Sequence, residues 1–245
     1  MLKILLSFIC LFCFISCSNS GENNTEKDEL TLLGEYNLSF GEPSGLAINN
    51  DATQLWVVSG ETQKIYKINN TGTILKTLNY SGSDLEGIVY DSSDSTLWVT
   101  EERTRVLVHL DLNGNVISKD TIDYPGELNH GLEGVCFDDS SNLFVVNEQI
   151  PVAILELNWD KTTKNEYIIS FALDLSDITY SKKYSCFLLV SDENKCLYYW
   201  NKSSGKLKQY DLIVDKYEGI ALDETNNKIY LVNDELNILS VYSFK

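Results

Sequence analysis

Apolar residues recur along this chain in short runs, separated by turn-forming polar residues, and the runs fall into registered sets. One set reads Glu42-Pro-Ser-Gly-Leu-Ala-Ile48, Asp84-Leu-Glu-Gly-Ile-Val-Tyr90, Gly131-Leu-Glu-Gly-Val-Cys-Phe137, Asp174-Leu-Ser-Asp-Ile-Thr-Tyr180 and Lys216-Tyr-Glu-Gly-Ile-Ala-Leu222. Gly45, Gly87, Gly134, Asp177 and Gly219 are separated by 42, 47, 43 and 42 residues, the period of a four-stranded propeller blade. A second run follows in each copy: Leu55-Trp-Val-Val58, Leu97-Trp-Val-Thr100, Leu143-Phe-Val-Val146, Phe187-Leu-Leu-Val190 and Ile229-Tyr-Leu-Val232. These segments are apolar on both faces, as strands sandwiched between neighbouring blades must be. Third strands such as Ile65–Ile68, Val106–Leu110 and Leu197–Trp200 alternate more, and hairpin signals follow at Asn113-Gly114 and Ser204-Gly205.

The pattern predicts an all-β chain: a single five-bladed β-propeller over residues 30–245, with four strands per blade. The fifth copy ends after its third strand, Ile238–Phe244, whereas Leu30–Phe40 precedes the first copy without a blade of its own. Pairing these two segments supplies the missing outer strand and closes the ring, leaving no unpaired edge there. The third blade departs most, with extra residues before it and Trp159-Asp160-Lys161 after its third strand.

Residues 1–16 carry one positive charge, Lys3, and then an apolar run too short to span a bilayer, which reads as a signal peptide. Phe14-Ile15-Ser16-Cys17 resembles a bacterial lipobox, implying a diacylated Cys17 as the mature N-terminus and a lipoprotein of the cell envelope. Ser18 after the cysteine suits sorting to the outer membrane. Residues 17–29 are polar and lack the apolar content that offsets ordering entropy, so they read as a tether. Of six cysteines, Cys136, Cys186 and Cys196 remain for the domain. An odd number argues against a disulfide framework; a Cys186–Cys196 bridge stays open, and Cys136 reads as a small core residue.

Charge narrows the partners. The chain holds 36 Asp and Glu against 19 Lys and Arg, a formal −17, and loss of Lys3 with the signal leaves −18. Such a polyanion disfavours nucleic acid and anionic membrane surfaces but concentrates cations in a concave site. Up-and-down strand order places two acidic sets on one face. Glu86, Glu133 and Glu218, with Ser44 and Ser176, precede the repeat position at the mouth of the central channel. Glu61, Glu101, Glu102, Glu148, Asp192, Glu193, Asp234 and Glu235 end the second strands. Carboxylates gathered this way favour shared protons, basic partners or a hard cation, and the oxygen-rich surroundings suit Ca²⁺ rather than zinc or copper. Metal candidates are Glu86, Glu133, Glu148 and Glu218; His130, Glu102, Glu193 and Glu235 are candidates for contact with a ligand. His130 is also the one base placed for acid–base work there.

At Asp84-Leu-Glu-Gly-Ile, Asn129-His-Gly-Leu-Glu-Gly-Val, Val145-Val-Asn-Glu148, Leu189-Val-Ser-Asp-Glu193, Tyr217-Glu-Gly-Ile and Val232-Asn-Asp-Glu235 the chain resembles the SdiA-regulated, YjiK-like family of bacterial envelope β-propellers, over about residues 36–245. The resemblance implies an extracytoplasmic propeller, linked in some relatives to calcium, with Glu86, Glu133, Glu148, Glu193 and Glu218 as motif acids. Three functions compete. A monomeric binding module would use Ca²⁺ and contact an envelope protein or small-molecule ligand. A calcium-dependent hydrolase would be of phosphoesterase or glycosidase type, although few basic residues are available to hold phosphate and no carboxylate pair stands apart. The third is an inert scaffold. Cys17→Ala is expected to release the protein from membranes; a variant still sedimenting with membranes after a high-salt wash would place the anchor elsewhere.

Overall fold

The computed structural model describes residues 30–127 and 129–243, so the signal, the lipidation site and the tether lie outside the described residues. An initial strand, β1 (Thr31–Asn37), precedes the first blade, β2 (Pro43–Ile48), β3 (Leu55–Ser59), β4 (Lys64–Ile68) and β5 (Ile74–Ser81). The second comprises β6 (Leu85–Asp91), β7 (Thr96–Glu101), β8 (Val106–Leu110) and β9 (Val116–Thr121). The third is β10 (Leu132–Phe137), β11 (Leu143–Asn147), β12 (Ala153–Leu157) and β13 (Thr163–Ile168). The fourth is β14 (Asp177–Ser181), β15 (Cys186–Ser191), β16 (Cys196–Asn201) and β17 (Gly205–Asp211). The last contains β18 (Tyr217–Asp223), β19 (Lys228–Asn233) and β20 (Ile238–Ser243).

The expected closure is present: β1 pairs antiparallel with β20 from Thr31↔Ser243 to Asn37↔Ile238, completing five four-stranded sheets among the described residues. Each second strand is buried along its length, apart from Lys228 at the start of β19, because apolar side chains leave both faces of the sheet. Five apolar clusters fill the spaces between successive blades, one joining the fifth blade to the first. Outer strands such as β13 are mostly exposed, consistent with their polar composition. The Trp159-Asp160-Lys161 segment is the turn between β12 and β13, so the third blade has an ordinary outer strand. Cys136, Cys186 and Cys196 are free and buried, and Ser191 rather than Cys186 stands opposite Cys196.

The repeat glycines hold the narrowest part of the channel. A Cβ on Gly87 would lie 2.1 Å from the Glu133 carbonyl oxygen, and one on Gly219 would lie 2.2 Å from that of Ser44. The inner strands thus approach one another with no room for a side chain. In four blades the register between first and second strand breaks at this point: between Pro43 and Leu46, Leu85 and Ile88, Leu132 and Val135, and Tyr217 and Gly219. Bulges of this kind re-aim the unpaired residue. Here they present Ser44, Glu86, Glu133 and Glu218 to the channel.

The fourth blade keeps a regular register and carries Asp177 in place of glycine. Its carboxylate is 1% exposed and accepts hydrogen bonds from Ile178 N at 2.8 Å and Ile220 N at 2.8 Å. It also accepts from the backbone of Leu46, so one side chain ties the fourth, fifth and first blades. Burial raises its pKa well above the usual carboxylate range, against the pull of those three N–H groups.

Deleting residues 30–40 removes β1 and bares β20, so the truncated protein is expected to melt well below the full chain and to aggregate. A monomeric truncation with an unchanged melting temperature would contradict closure through β1.

Candidate functional site

Above this waist the channel opens into a cavity of about 330 Å³ whose walls are dominated by carboxylates. The bulges supply Ser44, Glu86, Glu133 and Glu218, and Ser176 completes that inner ring from the fourth blade. Loops after the second strands add Glu102, Glu148, Asp192, Glu193 and Asp234 around it. Most of the acids that the sequence placed on one face therefore meet; Glu101 does not, being buried where it accepts from the Tyr80 hydroxyl at 2.5 Å and pairs with Lys119 at 3.3 Å, and neither do Glu61 and Glu235. Glu235 is exposed and lies with Glu61 in a shallow depression beside the mouth. His130 does not line the cavity: it stands beside Glu148, its Nδ1 3.1 Å from Oε2, with Glu127 4.0 Å from Nε2.

Two groups of three carboxylates have oxygens mutually within 4.8 Å: Asp84, Glu86 and Glu102, and Glu102, Glu133 and Glu148. Glu102 belongs to both. Its Oε1 accepts the backbone N–H of Gly131 at 3.1 Å, which fixes it between the second and third blades. Asp84 is held from outside by Arg103 Nε at 2.8 Å. Glu86 and Glu218 each share a hydrogen bond with a ring serine, Ser44 and Ser176. Glu133 is 9% exposed, and its carboxylate has no hydrogen-bond or ion-pair partner among the described residues. Glu193, at the outer edge, accepts from Gln149 Nε2 at 2.8 Å.

These surroundings raise the acids' pKa values. Burial, reinforced by neighbouring carboxylates, pushes Glu86 up to about 8. Burial and a hydrogen bond shared with Asp84 push Glu102 up to about 7. Glu133 and Glu218 are driven well above the usual range, mainly by burial and then by nearby acids. Burial also raises Glu148, although His130 opposes the shift. At separations of 4.8 Å, two ionised carboxylates repel by about 3.5 kcal/mol at an effective dielectric constant of about 20. Three such charges therefore cost about 10 kcal/mol, comparable with the whole folding free energy of a domain. Without a cation, these surroundings favour protonated carboxyls.

Sequence reasoning passed over Asp84, Asp174 and Lys216, although the aligned copies put all three at one repeat position. Lys216 enters the mouth and forms an ion pair with Asp192. Asp174 is fully buried behind Asp192, accepting hydrogen bonds from Ser191 and from Asp192 N. Burial and Asp192 raise its pKa to about 7. Lys216 screens the Glu218 side of the mouth, whereas no cation lines the Glu102–Glu133 side among the described residues.

The family model described as SdiA-regulated matches residues 39–244. The chain belongs to the SdiA-regulated family. Solved structures show how this SdiA-regulated chain compares with other propellers. A protein of unknown function from Bacteroides caccae shares 13% identity at a TM-score of 0.58, over 79% of this chain and 71% of that one. A streptogramin B lyase shares 19% identity at a TM-score of 0.53, over 88% and 73%. Virginiamycin B lyase from Staphylococcus aureus shares 13% identity at a TM-score of 0.54, over 89% and 100%. At these identities the likeness is one of fold.

The raised pKa values fix a pH dependence. A carboxyl whose folded pKa exceeds its unfolded value binds more protons in the native state, so its stabilising effect is lost as pH rises through the folded pKa. In chelator, stability is expected to fall between about pH 5 and pH 8, the window set by Glu102 and Glu86. Glu133→Gln should flatten that fall in urea-unfolding series across this range. A stability that stays level or rises over the same window in the wild-type protein would contradict the assignment.

Proposed function

We propose that this propeller is a cell-envelope binding module, anchored through Cys17, whose mouth holds a Ca²⁺ ion on the Glu102 side. The observation that carries the reading is Glu102 at the corner of two carboxylate triads, with the unpartnered Glu133 in one of them. A divalent cation neutralises the repulsion that otherwise keeps protons on the site, and carboxylate oxygens are the donors Ca²⁺ takes. Glu86, Glu133 and Glu148, with Asp84, are the partners of Glu102 in this scheme. Glu218 lies beside Ser176 and the Lys216–Asp192 pair, and it acts as a wall of the cavity. The open side of the mouth leaves the cation accessible to a small-molecule ligand or an envelope protein carrying an oxygen donor. Glu193 stands at the cavity's outer edge for such a contact; His130, beside Glu148, and Glu235, beside the mouth, flank it. The net charge of −17 disfavours nucleic acid as the partner.

A hydrolase at the same mouth is the second reading, and the specific observation favouring it is the His130–Glu148 pair at 3.1 Å. That pair is the acid–base couple such chemistry would use. Against a phosphoesterase, the one lysine lining the mouth among the described residues is already engaged by Asp192.

Millimolar CaCl₂ is expected to raise the melting temperature relative to chelator, with a stabilisation of about 2.7 kcal/mol at a hundredfold excess over the dissociation constant. Glu102→Gln, which keeps the oxygen that accepts from Gly131, should abolish the response, while Glu218→Gln should retain it. Identical melting in calcium and chelator would sink the metal reading. Calcium-dependent turnover lost in His130→Ala would instead favour the hydrolase.

A further inference from the structure

Below the waist the channel opens to the opposite face as a second cavity, of about 580 Å³. It begins at the residues that follow the repeat position, Leu46, Ile88, Val135, Ile178 and Ile220, and none of its lining residues also lines the acidic mouth. Asp177 and the four glycines, at the repeat position, lie between the lining of this funnel and that of the mouth.

Two rings of side chains define its chemistry. Three residues beyond the repeat position stand Tyr90, Phe137 and Tyr180, contributed by consecutive blades and half-buried in the funnel wall, with Ile48 and Leu222 completing the ring. Each aromatic is held from behind by another. Trp56 stacks on Tyr90 at 5.2 Å, Trp98 meets Phe137 edge-on at 6.5 Å, and Phe187 meets Tyr180 edge-on at 5.0 Å. One residue further out lie Asp91, Asp138 and Asp223, and Asp139 and Glu224 also line the opening. Lys182 is the one basic residue lining it among the described residues. Lys202 meets Asp138 from outside the funnel at 3.5 Å.

A cation near aromatic rings is attracted by their quadrupoles, more strongly where water is displaced, and a carboxylate rim adds longer-range attraction. A carboxylate or phosphate ligand would gain neither. We propose that this funnel is a binding site for a small alkylammonium ion, with the methylated nitrogen among Tyr90, Phe137 and Tyr180. The rear-packed rings make a preformed wall, which limits the ordering cost of binding. The site stands apart from the metal reading of the mouth and does not depend on it.

The test is calorimetric titration of the whole chain, in chelator, with choline and with its uncharged isostere 3,3-dimethyl-1-butanol. Choline is expected to bind one-to-one and about tenfold or more tighter than the alcohol, the discrimination a desolvated cation–π site provides. Added salt should weaken choline binding. Tyr180→Leu and, separately, Phe137→Leu should each weaken it by about tenfold, whereas Tyr180→Phe should restore most of the affinity. Tyr90→Leu serves where either leucine variant fails to fold. Absence of saturable choline binding, equal affinity for the two probes, or choline affinity unchanged in folded leucine variants would overturn the proposal.

Discussion

Five inner strands meet around one axis, four of them with no space for a Cβ at the point of contact, and most of the molecule's character follows from that contact. Glycine at positions 45, 87, 134 and 219 permits the approach, and the accompanying bulges turn the preceding residue toward the channel. Duplicating the bulge around the ring is what collects Glu86, Glu133 and Glu218 in one mouth. The same geometry sets Tyr90, Phe137 and Tyr180 around the opposite opening, three residues further along each strand. Both cavities are consequences of one repeated backbone feature.

The waist also explains why the ends of the channel differ. Asp177 replaces a glycine where the fourth blade has no bulge, and its carboxylate is occupied by backbone N–H groups of three blades. Hydrogen bonds of this sort offset desolvation, so Asp177 is structurally satisfied although buried. Glu133 is in the reverse position: buried to a similar degree, aimed into open space, and without a partner. Buried, unpartnered carboxylates favour either a proton or a cation, and the proposed exchange between the two centres on the crowding around Glu102.

Much of this was legible in the sequence. The blade count, the closure by β1 and the inner ring of acids followed from registered copies, because bulge, glycine and re-aimed acid recur as one string. Lys216 was equally visible in register with Asp84, yet its charge matters only once Asp192 is seen beside it. Asp177 was visible only as the residue in register with the repeat glycines, since its partners at Ile220 and Leu46 come from blades far away in the chain. Tyr90, Phe137 and Tyr180 closed their repeat strings and read as strand residues. Their convergence depends on the lower half of the channel being open, a property of packing rather than of spacing. His130 was placed at the mouth by its loop, but the side chain sits beside Glu148 instead of lining the cavity.

Protons held on the carboxylates proposed to take a cation would be displaced by it, and proton release on metal uptake measures this directly. Calcium titrations at pH 7 in buffers of different ionisation enthalpy report the number of protons displaced per ion. One-to-one binding with net proton release is expected, diminishing as the pH is raised above about 8, where Glu86 and Glu102 would be ionised before metal arrives. Calcium binding with no proton release at pH 7, or no calcium binding at all, would contradict it.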